Sequence, residues 1–231
     1  MDLSRFYFVS NSLYEFLSRK EIEFLKKFTL QKNYSKGSDI FNEGAYPKGV
    51  YILDKGKVKI YQKTYGGSQR IMNVHVQGEI FGYRPLLCDE KYPVTATALE
   101  GCKISLMPKK QFLTILKRSP SLSNALLRFL SYEFTVWVNT ISILTQRTVK
   151  ERLLLNLLIL AEKYRKKEIW PVEITLSRAD LAALIGTSNE TLARMIRALK
   201  DEKYLSTRGR TIVLNGPAQI GKIRRSLSGI F

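Results

Sequence analysis

Short apolar runs separated by glycine fill residues 34–107, and this pattern restricts the fold of the chain more than any other feature. Three of the runs, at 50–53, 58–61 and 71–74, are rich in the β-branched and aromatic residues that favour strands. Many short strands with turn residues between them are typical of a sandwich or a barrel. We therefore predict a compact antiparallel β-domain in this part of the chain.

Helical spacing of apolar residues is found on both sides of this region, at 12–30 and again from Pro108 onward. In the second stretch the spacing alternates between three and four, as in a heptad repeat. The resulting seam consists of Leu127, Leu130, Phe134, Trp137, Ile141 and Leu144. A seam of this kind predicts a long helix that pairs with the same helix of a second copy. Packing against the chain's own β-domain is the alternative.

Residues 177–200 have the pattern of two short helices joined by a tight turn. Ser177 stands three residues before Asp180, as a helix N-cap does before an acidic residue of the first turn. Gly186 can adopt a positive φ at little cost, and Thr187 with Glu190 predicts a second capping box. We therefore expect a helix-turn-helix whose recognition helix runs over about 188–200 and enters the major groove of DNA. A small hairpin at 204–214 follows, with its turn at 208–210.

The outer face of the second helix carries Asn189, Glu190 and Arg194. Arginine can donate two hydrogen bonds to guanine O6 and N7, and glutamate can accept one from cytosine N4. Glu190 and Arg194 together can therefore read one G·C base pair from both sides. The alternative is an ordinary solvent-exposed salt bridge between residues four apart.

Basic and hydroxyl-bearing residues surround these predicted readers, and they are candidates for contacts with the DNA backbone. The set is Arg178, Ser188, Thr191, Arg197, Lys200, Arg208 and Arg210. The whole chain has 38 Lys and Arg against 20 Asp and Glu, a net charge of +18, which favours a polyanionic partner. A solvated basic surface is the alternative for any one of these residues.

The chain has few groups for metal, redox or catalytic chemistry. Its two cysteines, Cys88 and Cys102, and its one histidine, His75, are too few for a structural zinc site or an iron–sulfur cluster. We find no nucleophile–base set and no phosphate loop, so we predict no catalytic residues, no metal and no enzyme activity. No apolar stretch is long enough to span a membrane, which favours a cytoplasmic protein. We expect His75 to be an ordinary sheet residue and both cysteines to be buried, inert thiols, with haem ligation and oxidant sensing as the alternatives.

Over about residues 15–215 the chain resembles the Crp/Fnr family of bacterial transcription regulators. The β-region matches the family at 36–44 (KGSDIFNEG), 50–58 and 78–82 (GEIFG), and the helix-turn-helix matches it at 176–182 (LSRADLA) and 186–194 (GTSNETLAR). The resemblance implies a homodimer that binds an inverted repeat in double-stranded DNA, with RNA polymerase and a small effector as further partners. Glu190 and Arg194 match the family's base-reading residues, and Asn189 stands where members that read a second guanine have arginine.

With this resemblance, the expected fold class is α+β and the chain divides into three parts. We predict an antiparallel β-roll domain of the jelly-roll type at 1–118, a dimerisation helix and hinge at 119–149, and a winged helix-turn-helix domain at 150–231. The β-roll is the part that binds the effector in the family.

The effector pocket implied by the resemblance departs from the cyclic-AMP-binding pattern. Tyr83 replaces the ribose-binding glutamate, residues 93–94 replace the phosphate-binding Arg-Ser pair, and residues 137–138 replace the Thr-Ser pair that contacts adenine. A cyclic phosphate without a guanidinium partner would be a poorly paired buried anion. We therefore predict no cofactor and no cyclic AMP binding. The pocket candidates are Gly82, Tyr83, Arg84, Thr95 and Trp137, with Arg84 either a relocated anion ligand or a structural residue.

A different reading of the chain is a dimeric, ligand-binding β-roll module whose DNA head is inactive or non-specific. The presence of Glu190, Arg194 and the helix caps argues for a working DNA-binding head.

Overall fold

The structure is a computed structural model that describes residues 2–8, 13–165 and 169–228. The chain divides into two compact units, one of Phe8–Phe134 and one of Met1–Tyr7 together with Thr135–Phe231. Each unit is described by itself below. None of the helices within the described ranges has the length and hydropathy that a membrane crossing requires.

Two four-stranded antiparallel sheets form the β-domain of the first unit. Their strands are β1 (Leu30–Tyr34), β2 (Asp39–Phe41), β3 (Gly49–Lys55), β4 (Val58–Lys63), β5 (Gln69–His75), β6 (Ile80–Phe81), β7 (Thr95–Ala98) and β8 (Cys102–Pro108). The order is β1-β8-β3-β6 in one sheet and β2-β7-β4-β5 in the other. The predicted antiparallel β-domain is thus confirmed.

Aromatic side chains from both sheets form the centre of this domain. The ring of Phe41 on β2 stacks on that of Tyr92, with 3.8 Å between centroids and 11° between planes. Tyr51 on β3 stacks on Phe81 on β6 with 5.3 Å between centroids. All four residues are buried in one hydrophobic cluster, so the two sheets share a single core.

The helices of the first unit are α1 (Arg19–Phe28), α2 (Arg84–Leu87), α3 (Lys109–Arg118) and the first part of α4 (Pro120–Gln146). The continuous helix predicted at 12–30 is wrong, because Leu13–Phe16 is a separate 3-10 turn and α1 begins after it. The N-cap of α1 is Ser18, whose hydroxyl accepts from the backbone N–H of Glu21 while the Glu21 carboxylate accepts from the backbone N–H of Ser18. This capping box starts a new helix at Arg19, whereas the apolar spacing alone predicted one continuous helix. Residue 12 lies outside the described residues.

The long helix α4 has two apolar faces. Leu122, Leu126, Val136 and Ile143 are buried, whereas Leu127, Phe134 and Ile141 are exposed by 62%, 70% and 59%. The other seam residues, Leu130, Trp137 and Leu144, are half-buried. One face is therefore covered within the chain, and a second apolar stripe remains at the surface of the single chain.

Besides the 3-10 turn Leu3–Phe6 and the second part of α4, the second unit contains the helices and strands that follow α4. They are α5 (Val149–Tyr164), β9 (Val172–Ile174), α6 (Arg178–Ile185), α7 (Asn189–Asp201), β10 (Ser206–Arg208), β11 (Thr211–Leu214) and α8 (Pro217–Ser226). The core consists of the buried leucines of α5 together with Leu181, Leu192, Ile196 and Leu199 from α6 and α7.

The small sheet of this unit has the order β10-β11-β9. The predicted hairpin is present, but its first strand begins at Ser206, two residues later than expected. A further strand, β9 (Val172–Ile174), completes this sheet and pairs with β11 through Ile174 and Ile212. A three-residue strand has no periodicity of its own, so only its pairing partner shows it.

Candidate nucleic-acid interface

The helix α6 and the turn after it form as their local sequence predicts. Ser177 is the N-cap of α6, and its hydroxyl accepts from the backbone N–H of Asp180 at 3.0 Å. Gly186 ends the helix in the left-handed region, with φ +69°. Its N–H donates to the carbonyl of Ala182 at 2.9 Å. A glycine at this position avoids the strain that a side chain would meet there, so α7 can begin within three residues.

The N-cap of α7 is Ser188, and the predicted capping box of Thr187 with Glu190 is wrong by one residue. The Ser188 hydroxyl accepts from the backbone N–H of Thr191 at 3.2 Å. The N–H of Thr187 donates to the carbonyl of Ala182, so Thr187 lies in the closing turn of α6 and its N–H is not left for the Glu190 carboxylate, as the predicted capping box requires. The recognition helix therefore spans Asn189–Asp201, close to the expected 188–200.

The structure places the predicted base readers together on the exposed side of α7. Asn189, Glu190 and Arg194 are all exposed, whereas Leu192 and Ile196 on the opposite side are buried. Asn189 and Glu190 lie in the first turn of α7, and Arg194 lies one turn further along the helix. The N-terminal half of the helix thus presents one carboxylate, one amide and one guanidinium to solvent.

Glu190 and Arg194 do not form the salt bridge that was the alternative to base reading. The Arg194 guanidinium donates to the Thr191 hydroxyl at 3.4 Å, and no ion pair joins it to Glu190 among the pairs of the described residues. The backbone N–H of Glu190 and the Ser188 hydroxyl lower the pKa of the Glu190 carboxyl, so it is ionised at neutral pH. Both polar ends are therefore available to another molecule.

The predicted backbone contacts fall into two groups. Ser188, Arg197, Lys200 and Arg210 are exposed and Thr191 is half-buried, all within or beside α7 or in the hairpin. Arg208 is exposed but donates to the Glu173 carboxylate on β9 at 2.9 Å. Arg178 is half-buried, and its Nη1 is buried without a hydrogen-bond partner among the described residues. Burial lowers the pKa of the Arg178 guanidinium.

Arg84, one of the effector candidates, forms an ion pair that the sequence did not predict. The Glu133 carboxylate on α4 accepts from Tyr83 Oη at 2.7 Å and from Arg84 Nε at 2.6 Å. Tyr83 and Glu133 are buried, and burial followed by the charge of Glu133 raises the pKa of the Tyr83 hydroxyl. Arg84 is thus a structural residue in this state. Glu133 is the only carboxylate within α4, and that isolation was the one available signal.

The remaining pocket candidates are Gly82, Thr95 and Trp137. Gly82 has φ +80°, and a Cβ built on it would lie 2.9 Å from the ring of Tyr51. The Thr95 hydroxyl accepts from the backbone N–H of Glu43 at 3.0 Å. Trp137 is half-buried and belongs to the second unit.

Cys102 and His75 are buried, whereas the expectation of a buried thiol is wrong for Cys88. Cys102 is buried, its Sγ donates to the carbonyl of Lys57 at 3.2 Å, and burial raises its pKa. Cys88 is exposed. His75 and Glu79 are both buried and lie 2.7 Å apart between Nδ1 and Oε2. Within the described residues, no group of three or more His, Cys, Asp and Glu could hold a metal ion.

An antiparallel β-domain, a long helix and a helix-turn-helix whose second helix exposes polar side chains define a DNA-binding transcription regulator. Comparison with known families agrees in both parts of the chain. A cyclic nucleotide-binding domain model matches residues 31–119, and a Crp-like helix-turn-helix domain model matches residues 151–222. The chain belongs to the Crp/Fnr family of transcription regulators.

Individual relatives are distant but cover most of the chain. The cyclic AMP receptor protein of Thermus thermophilus is 24% identical over 216 residues, which cover 94% of this chain and 98% of that protein. The fumarate and nitrate reduction regulatory protein of Vibrio cholerae is 25% identical over 207 residues, 88% of this chain and 82% of that protein.

Solved structures show the same fold. FixK2 from Bradyrhizobium japonicum has a TM-score of 0.75 at 20% identity and covers 84% of this chain and 96% of its own. A CooA mutant from Carboxydothermus hydrogenoformans has a TM-score of 0.74 at 18% identity and covers 96% of this chain and 98% of its own.

Proposed function

We propose that this regulator binds an inverted repeat in duplex DNA as a homodimer, reads it with Glu190 and Arg194, and does so without cyclic AMP. The observation that carries the proposal is the N-terminal half of α7. There, both side chains are exposed, ionised and not paired with each other. Such a protein acts where the chromosome is, in the bacterial cytoplasm.

The chemistry of the two side chains specifies a G·C pair in each half-site. The Arg194 guanidinium matches guanine O6 and N7, and the Glu190 carboxylate accepts from cytosine N4. Asn189 lies beside Glu190 and can contact the neighbouring base pair, whose identity stays open. The predicted contacts of Ser188, Thr191, Arg197, Lys200 and Arg210 would add affinity that depends on salt and not on sequence.

Two of the proposed backbone contacts require a rearrangement. Arg208 would have to exchange or share its bond to Glu173, which costs little because both groups are well exposed. Arg178 would have to expose a nitrogen that is buried in the free protein. We therefore rank Arg178 last among the backbone contacts.

The exposed stripe on α4 supports the homodimer. Leu127, Phe134 and Ile141 follow one another at seven-residue intervals, and more than half of each side chain is exposed. Apolar side chains at this spacing are covered when the same helix of a second copy packs alongside. A two-fold dimer presents two recognition helices, and its operator is then an inverted repeat.

The proposed independence from cyclic AMP rests on the position of Glu133. In the free chain this carboxylate already holds Arg84 and Tyr83, so a phosphate group would meet a negative charge at the one arginine among the pocket candidates. We expect cyclic AMP at millimolar concentration to leave both the melting temperature and the DNA affinity unchanged. A melting temperature that rises with cyclic AMP concentration contradicts this part of the proposal.

The experiment that tests the proposal is selection of bound sequences from a random duplex library, performed with the wild type, Arg194→Ala and Arg225→Ala. We expect the wild type to select an inverted repeat with one fixed G·C pair in each half-site. Arg194→Ala should lose that preference at a cost of about 1–3 kcal/mol per half-site. Arg225→Ala is the matched control, because it removes the same charge from the exposed face of α8.

If the wild type and Arg194→Ala bind all duplexes equally, the specific regulator is excluded. The chain is then a dimeric ligand-binding β-roll module with a non-specific head.

A further inference from the structure

Arg152, in the first turn of α5, binds to three backbone carbonyls from two different elements. Its Nη1 donates to the carbonyl of Leu144 at 3.2 Å and to that of Arg147 at 3.1 Å. Its Nη2 donates to the carbonyl of Gly186 at 3.0 Å. Leu144 lies in the last turn of α4, Arg147 follows directly after α4, and Gly186 lies in the turn before the recognition helix α7.

These acceptors are the groups that a helix leaves unpaired at its C-terminal end. The last carbonyls of a helix have no partner within it, and the helix dipole makes that end negative. Arg152 therefore places one positive charge at the C-terminal ends of both α4 and α6.

The junction between α4 and α5 leaves little freedom for this link to move. Only Arg147 and Thr148 separate the two helices. Thr148 is the N-cap of α5, and its backbone N–H donates to the Glu151 carboxylate at 2.8 Å in a complete capping box. The first turn of α5, which carries Arg152, is thus fixed against the end of α4.

The buried Nε of Arg152 has no hydrogen-bond partner among the described residues. A buried donor without an acceptor is unfavourable. The guanidinium is therefore kept in place by its two Nη groups and not by complete pairing. Its fork geometry reaches two separate sets of carbonyls at once, which the single ammonium of a lysine cannot reproduce.

We propose that Arg152 is a positioning residue that fixes the recognition helix relative to the end of α4, and so sets the spacing between half-sites that the dimer accepts. This inference rests on the proposed function, in which α4 pairs with its copy and α7 reads DNA. Arg152 itself reads no base. Its effect on DNA passes through the carbonyl of Gly186, which lies two residues before Ser188, the N-cap of α7.

The test compares the wild type with Arg152→Lys, Arg152→Met and the control Lys150→Gln. Lys150 lies in the same turn of α5 and forms an exposed ion pair with Glu202, so its substitution removes one charge at little energetic cost. The probes are the operator selected by the wild type, the same operator with one base pair added to or removed from the spacer, a single half-site, and random duplex.

We expect both Arg152 variants to bind the selected operator about tenfold or more weakly than the wild type, because they lose hydrogen bonds from a charged donor. They should also bind the three spacer lengths with nearly equal affinity. Binding to the single half-site and to random duplex should stay within about twofold of wild type, as it should for Lys150→Gln on all probes.

Two results overturn the inference. One is an Arg152 variant that keeps the wild-type spacer preference. The other is an Arg152 variant whose affinity falls by the same factor for the single half-site and for the full operator. Arg152 would then act only within the helix-turn-helix of one chain. Arg152→Lys retains the positive charge, so it still tests the inference if Arg152→Met does not fold. If the wild type selects no inverted repeat, it is the proposed function that fails.

Discussion

The ion pair between Arg84 and Glu133 leads to the prediction that a second substitution restores part of the stability that the first one removes. Glu133 is only 8% exposed, and its carboxylate accepts from Arg84 Nε at 2.6 Å and from Tyr83 Oη at 2.7 Å. Arg84→Ala leaves this buried carboxylate with a single neutral donor. The double variant Arg84→Ala with Glu133→Gln removes the charge as well, while the amide oxygen still accepts from Tyr83. The double variant should therefore be more stable than Arg84→Ala alone.

The expected magnitudes follow from burial. Removing one partner of a fully buried ion pair costs about 3–5 kcal/mol, and losing one hydrogen bond to a charged group costs about 1.5–3 kcal/mol. The side chain of Arg84 is 42% exposed, so solvent already screens part of the interaction. We expect Arg84→Ala to lower the free energy of unfolding by about 2 kcal/mol, and the second substitution to restore about 1 kcal/mol.

Urea unfolding followed by far-ultraviolet circular dichroism, at one fixed protein concentration, measures these differences. Tyr83→Phe serves as the matched control, because it removes one hydrogen bond to the same carboxylate and leaves the ion pair intact. A double variant that is less stable than Arg84→Ala would refute the reasoning. The carboxylate would then stabilise α4 through contacts other than Arg84.

Three further predictions concern other parts of the fold. Gly49→Ala should lower the free energy of unfolding by about 3 kcal/mol in urea titrations, because its Cβ would lie 2.0 Å from the carbonyl oxygen of Met107; an unchanged midpoint contradicts this. Ser188→Ala removes the cap of α7 and should cost about 1 kcal/mol in the same titration, with weaker operator binding as the second readout. Burial raises the pKa of Tyr51 to about 12 and also raises that of Tyr92, above a usual value near 10. The stability that depends on these hydroxyls is therefore complete below pH 10 and is lost as the pH rises towards 12. The melting temperature should fall over that range, and less steeply in Tyr92→Phe; equal slopes would exclude Tyr92 as a cause.

Much of the recognition element could be read from the sequence because its signals are local. Ser177, Asp180 and Gly186 lie within ten residues of one another, and each acts through the backbone of its own turn. The same holds for the exposure of Glu190 and Arg194, which follows from the helical period of α7. Where this reasoning was wrong, at the cap of α7, the error was one residue. Thr187 and Ser188 are both good caps, and the sequence does not show that the N–H of Thr187 is already bonded to Ala182 in the closing turn of α6.

The contacts that link elements could not be obtained in this way. Glu133 meets Arg84 across 49 residues of sequence, and Arg152 meets Gly186 across 34. Neither pair has a characteristic sequence spacing or motif, because such contacts arise only after the helices and strands have packed. The same limit applies to β9, which is a strand only because β11 lies beside it.

The sequence by itself determined the class of the protein, the position of the helix-turn-helix and the side chains that it presents, because periodicity and capping act over a few residues. Only the tertiary structure decided which residues that are distant in sequence contact one another. It showed that Arg84 is held by Glu133, that Arg152 joins α4 to the turn before α7, and that a stripe from Leu127 to Ile141 stays exposed. These features depend on which distant groups share one buried volume, and that is set by the packing of the whole chain.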